Sequence, residues 1–185
     1  LSSPARKAAH RLLATGLSEH AYAQAMSIVA LEEVLDREEG WRRGRHSGDY
    51  WVSVFGDPED GRPWSWRFEG HHLSVTMTVT GQEVSPAPVF LGANPACVSY
   101  AGRPVSRPLG PEEDLVRALL DAMGQQCPAV VVASQAPPDI RTATSPRARE
   151  NIEPLGVPRS ALGPGARALL DQLVRCQVTS FCAPP

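Results

Sequence analysis

The stretch Trp64-Ser-Trp-Arg-Phe-Glu-Gly-His-His-Leu73 carries the residues best suited to chemistry. His71 and His72 offer two imidazoles, a ligand type that suits zinc, copper or iron. A ligating imidazole normally needs an acceptor such as a carboxylate on its other nitrogen. Glu69 is the candidate for that role, or for a catalytic proton carrier. Adjacent residues on a regular strand point to opposite faces, so the two histidines could share one ion only where the backbone is irregular. Trp64, Trp66 and Phe68 carry even numbers, whereas Leu73, Val75, Met77 and Val79 carry odd ones. A bulge or kink at Gly70 would reconcile the two sets and re-aim Glu69, His71 and His72. The competing reading is plainer: one histidine hydrogen-bonded in the core and its neighbour facing water.

Two further residues could contact a substrate. Arg67 alternates with the aromatics and could pair with Glu69 across the pleat or with a carboxylate on a ligand. Asn94 precedes Pro95, which confines it to extended backbone and presents its amide at a strand end. Asn-Pro is equally a common turn starter. GxGxxG, P-loop, HExxH and GxSxG motifs are absent. Ser65 and Ser74 lack a base with an orienting group, which argues against a serine nucleophile. His10, His20 and His46 read as surface residues.

The elements that must position these groups follow from periodicity and punctuation. Residues 5–14 read as a short helix ending near Gly16, and Ser18 caps a longer one with Glu19 in its first turn. Tyr22, Met26, Val29 and Glu33 form one stripe of that helix, widened by Ile28, Leu31 and Leu35, and Gly40 stands at its stop. Period two then takes over in 50–55, 64–69, 73–80 and 84–91, with Gly81-Gln82 a tight turn. Short turns between four such runs predict an antiparallel meander with one buried face. After Leu91 the chain is expected to leave regular structure through Gly92-Ala-Asn-Pro95. Pro111 followed by Glu112, Glu113 and Asp114 starts a helix, residues 129–133 read as a short strand, and 164–176 as a last helix. Between the latter two, residues 134–163 hold five prolines and several arginines, the mark of a long loop or strapped arm.

Composition bounds the class. A chain of 185 residues, 42% hydrophobic and 21% charged, fits one globular domain of α+β type. Eighteen cations against twenty acidic groups give a net charge of −2, no global field for nucleic acid or acidic lipid. All but one of the cations are arginine, consistent with a high-GC bacterial genome. No apolar run is long enough to span a membrane. The first residues lack the core of a signal peptide, so a cytoplasmic location is expected. Cys97, Cys127, Cys176 and Cys182 form no CxxC pair, which excludes a zinc ribbon and leaves disulfides and buried thiols both open.

Three segments, Tyr50 to Gly56, Pro63-Trp-Ser-Trp-Arg-Phe-Glu-Gly-His-His-Leu-Ser74 and Pro88-Val-Phe-Leu-Gly-Ala-Asn-Pro-Ala96, together resemble an uncharacterised family known as domain of unknown function 3500. Weaker echoes at 109–120 and 154–158 extend the resemblance from about residue 9 to 174. Members of that family are about twice this length and carry a second segment of the form Asn-His-x-His. The resemblance implies that His71 and His72 are half of a shared ligand set. It implies no reaction.

The combined expectation is a metal-dependent enzyme acting on a small organic or peptide substrate, hydrolytic or oxidative. His71 and His72 would ligate a divalent transition metal (zinc, copper or iron), Glu69 would move the proton, and Arg67 and Asn94 would contact substrate. Another copy of the chain is an expected partner; nucleic acid and membrane are not. The alternative is a non-catalytic binding or scaffold protein that retains only half of the family's histidine site.

Overall fold

The computed structural model describes residues 2–44, 46–124, 156–178 and 181. Two helices come first. Helix α1 (Ser3–Gly16) begins at Ser2, whose hydroxyl accepts from Ala5 N, and α2 (Glu19–Glu38) begins at Ser18, which accepts from Ala21 N. Each cap satisfies one of the amides that a helix start leaves unpaired. Arg37 in the last turn of α2 complements the negative end of its dipole, and Gly40 at φ 73° follows as the stop.

Four strands follow, β1 (Trp51–Phe55), β2 (Trp64–Glu69), β3 (Leu73–Thr80) and β4 (Glu83–Leu91). They form one antiparallel sheet in the order β1-β2-β3-β4. The protein is thus α+β, with the predicted meander in place. Its core joins Leu13, Ala21, Ala25, Ile28 and Val29 of the helical segment to Trp66, Phe68, Leu73, Val75 and Met77 of the sheet. Helix α1 closes on the sheet very tightly. A Cβ on Gly16 would stand 2.7 Å from Met77 Cε and 3.1 Å from Trp66 Cζ2.

The predicted bulge at Gly70 is replaced by a chain reversal. Phe68 pairs with Val75 and Trp66 with Met77, so even positions of β2 and odd positions of β3 share one face. A hairpin therefore reconciles the two aromatic and aliphatic sets without breaking either strand. The sheet's register shift lies elsewhere, between Val75 and Met77, which pair with Val89 and Pro86. The extra residue sits in β4 where Pro86 and Pro88 supply no N–H to the ladder.

Gly92 to Pro95 are irregular as expected, and the segment beyond them adds to the expected elements. It contains a small hairpin, β5 (Val98–Tyr100) and β6 (Arg103–Ser106), turned by Ala101 and Gly102 at φ 51° and 73°. Two successive positive φ values make the type of turn whose twist suits a hairpin. Ala-Gly is a weaker announcement of it than Asn-Gly would be. Helix α3 (Gly110–Met123) and helix α4 (Pro164–Val178) match the predicted helices to within two residues at each end. The predicted strand at 129–133 and most of the proline-rich arm lie outside the described residues.

The chain divides into two compact units, 1–112 with 175–185, and 113–174. The first holds the sheet, α1, α2 and the core above. The second has its own small core of Met123, Leu162 and Ala166, with Leu119, Leu120 and Leu170 packed against it. There the Arg159 guanidinium pairs with Asp171, and Arg167 donates to the Leu162 carbonyl at 2.9 Å. Among the described residues no helix is long and apolar enough to cross a membrane.

Candidate metal centre

Glu32 sits two-thirds of the way along α2. Its neighbours at helical spacing are Ile28, Val29, Leu35 and Asp36, all buried, and Glu32 itself is only 4% exposed. The carboxylate therefore lies on the helix sector that faces the interior. Glu33, one position on, turns outward and accepts from the backbone N and the hydroxyl of Ser47, both at 3.1 Å. These hydrogen bonds hold the Glu33 carboxyl below its usual range.

His71 and His72 occupy the reversal between β2 and β3. Two backbone bonds fix it, Gly70 N to the Leu73 carbonyl and Gly92 N to the His72 carbonyl, each 2.8 Å. The Tyr50 ring lies flat against Gly70, where any Cβ would collide with it. That ring also stacks on Phe68, with centroids 5.5 Å apart. The reversal is consequently pressed between the aromatic core and the start of the loop after β4.

This framework aims both imidazoles at one carboxylate oxygen. Nδ1 of His71 lies 3.2 Å from Glu32 Oε1 and Nδ1 of His72 lies 3.6 Å from it. The two rings are close, with centroids 3.7 Å apart and planes inclined by 44°. Access is graded: the side chains of Glu32, His72 and His71 are 4%, 19% and 41% exposed. The interior of the group is carboxylate and its mouth is imidazole. Burial pushes the nearby Tyr50 hydroxyl well above the usual phenol range, and the negative Glu32 carboxylate adds to the effect. That hydroxyl is itself buried without a hydrogen-bond partner.

One ligand atom from each of Glu32, His71 and His72 lies within 4.8 Å of the other two. Metal–ligand bonds of about 2.0–2.1 Å imply edges of roughly 2.9 Å between neighbouring octahedral ligands and roughly 3.3 Å between tetrahedral ones. The contacts of 3.2 and 3.6 Å fall close to the tetrahedral edge. Two imidazoles and a carboxylate are also a donor set that binds zinc or ferrous iron with coordination positions left over. Among the described residues this is the one group of three or more potential ligands so arranged.

The other predicted site residues are not members of this set of three. Glu69 pairs with Arg67 at 3.5 Å. Arg67 Nε donates to Thr76 Oγ1 at 3.2 Å, and its guanidinium stands 5.6 Å from the centroid of the Phe55 ring. Arg67, Glu69 and Thr76 alternate with the core residues Trp66, Phe68, Val75 and Met77, which places them on the sheet face away from the helices. Asn94 is exposed in the bend after β4. Of the remaining histidines, His10 is half-buried, with its ring 6.0 Å from that of Phe68, rather than a plain surface residue.

Sequence reasoning did not anticipate Glu32. Its signal was available: a carboxylate three residues after Val29 and four after Ile28, inside an apolar helix sector, and followed one turn later by the equally buried Asp36. No curated protein and no solved structure matches the chain. A family model does match it, over residues 1–182. On that match, which takes in the helices, the sheet and the histidine turn, the chain belongs to the family described as Protein of unknown function (DUF3500).

Proposed function

We propose that the protein is a metal-dependent enzyme, with a divalent transition metal held by Glu32, His71 and His72, acting on a small organic or peptide substrate. The observation that carries this reading is the buried Glu32 oxygen 3.2 and 3.6 Å from two histidine Nδ1 atoms. A buried carboxylate requires a cation or good donors, and three donor atoms of this kind at coordination spacing supply the ligand set for one. The exposed flank of His71 gives a substrate a side from which to approach.

When bound, such an ion polarises a carbonyl or activates water or dioxygen. The chain's own contribution is to orient the three ligands. Glu32 is fixed by helix packing, and the imidazoles are fixed by the Gly70 and Gly92 backbone bonds. The competing account is a metal-free ion pair in which a protonated imidazole neutralises Glu32, as a non-catalytic binding protein would retain.

Elemental analysis of the protein purified without chelator, followed by zinc titration calorimetry, separates the two. The metal reading expects about one equivalent of zinc, copper or iron. It also expects affinity to fall at least about a hundredfold in Glu32→Gln and in His72→Ala. Absence of a stoichiometric ion, together with no zinc binding by a folded sample, would leave the ion pair standing alone. Steady-state assays with ester, amide and phenol probes then test turnover, which should vanish on chelation and return with the metal.

A further inference from the structure

A second candidate site lies along β4. A cavity of about 430 Å³ is lined by Val89, Phe90, Leu91, Leu109, Phe181 and the carboxylate Glu112, together with Pro86 and Gln177. The volume is that of a small-ligand pocket, which typically combines apolar walls with a few fixed polar groups. All of these residues belong to the unit that contains the sheet. Among the described residues that line it, none carries a positive charge.

Glu112, the charged residue in the described lining, is hydrogen-bonded by a residue that does not itself line the cavity. Gln24 of α2 is 5% exposed. Its amide nitrogen donates to the Pro108 carbonyl at 3.0 Å and to Glu112 Oε1 at 2.8 Å. Both amide hydrogens of Gln24 are thereby engaged. Two acceptors remain, Gln24 Oε1 and Glu112 Oε2, each buried and without a hydrogen-bond partner. A buried acceptor left unmet is costly, and more so when it carries charge. A carboxylate in that position repels an anion and offers a neutral hydroxyl only one good bond. A protonated amine brings three N–H donors and the neutralising charge.

We propose that this cavity binds a small primary amine with an apolar body, its ammonium on the Glu112 carboxylate and its hydrocarbon part among Val89, Phe90, Leu91 and Phe181. The site is independent of the metal reading, since neither Gln24 nor Glu112 belongs to the ligand set.

Titration calorimetry at pH 7 with n-hexylamine, 1-hexanol and hexanoate tests it, with and without EDTA. Hexylamine should bind at least about tenfold more tightly than hexanol, hexanoate should bind more weakly than either, and EDTA should change none of the three. Glu112→Gln should bring hexylamine down to the affinity of hexanol. Equal affinities for amine and alcohol, or an amine preference that survives Glu112→Gln in a folded variant, would overturn the proposal. If that variant does not fold, the ranking of the three probes on the unaltered protein still decides. A chain that fails to bind metal yet selects the amine would refute the metal reading and leave this one intact.

Discussion

Placing the Glu32 carboxylate on the inner face of α2 costs several kcal/mol unless a cation or proton donors meet it. The two imidazoles are among the groups that the fold brings to it, and replacing either leaves the charge less well met. His72→Ala should therefore destabilise the metal-free protein as well as weaken metal binding, whereas the more exposed His71→Ala should act mainly on the metal. Thermal unfolding with and without zinc, run on both variants, distinguishes the two effects. Tyr50 poses the opposite case. Its hydroxyl is buried and unpartnered, so Tyr50→Phe removes an unmet polar group and should leave stability unchanged or slightly higher. Burial in the folded state, with the negative Glu32 carboxylate adding to it, also keeps that phenol protonated to higher pH than usual. The unfolded chain then ionises first as pH rises beyond about 10, and stability declines from there upward. Denaturant titrations between pH 8 and 11 should show that decline to be shallower in Tyr50→Phe.

At the scale of elements, the site depends on three contacts: α2 against β3, the β2–β3 reversal, and the loop after β4 that holds the His72 carbonyl. Gly70→Ala drives a methyl into the Tyr50 ring and should shift the reversal. The expected result is a loss of about 1–3 kcal/mol in stability, with zinc affinity falling in parallel when both are measured on the same sample. Gly16→Ala presses instead on Met77 and Trp66 at the far side of the core. It should reduce stability by a similar amount while sparing zinc affinity, which makes it the control.

Much of this framework was legible beforehand, because helix caps, glycine stops and period-two strands are local signals. Ser18, Gly81 and the alternating run Leu73 to Thr80 announced their elements directly. The histidine pair was legible as well, since residue type alone drew attention to it. Three things were not. The parity change between Phe68 and Leu73 admits a bulge or a hairpin, and only the pairing of Phe68 with Val75 decides between them. Glu32 comes from an element nearly forty residues earlier, so its approach to the histidines depends on tertiary packing. Glu69 lay close in sequence, but strand alternation carries it to the other face, where Arg67 takes it up.

For the whole molecule, stability and site occupancy are linked. An ion that binds only the folded chain adds about 2.7 kcal/mol when present at a hundred times its dissociation constant. Zinc at that excess should raise the melting temperature of the protein, and Glu32→Gln should abolish the rise. The second unit offers an internal reference. Leu162→Ala opens its small core of Met123, Leu162 and Ala166 and should cost about 2–4 kcal/mol there. Zinc affinity measured below the onset of unfolding should be untouched, because no residue of the ligand set lies in 113–174.

The two histidines also count. Gly70, His71 and His72 are the only residues between the paired strands β2 and β3, and their number fixes which face of β3 meets the core. Deleting one of them, or adding one, would oblige the next strand either to strain the corner or to present Ser74, Thr76 and Thr78 inward in place of Leu73, Val75 and Met77. Length variation at this corner should therefore be far less tolerated than at the solvent-facing turn of residues 57–62, a contrast that a scan of single-residue insertions and deletions across the sheet would expose.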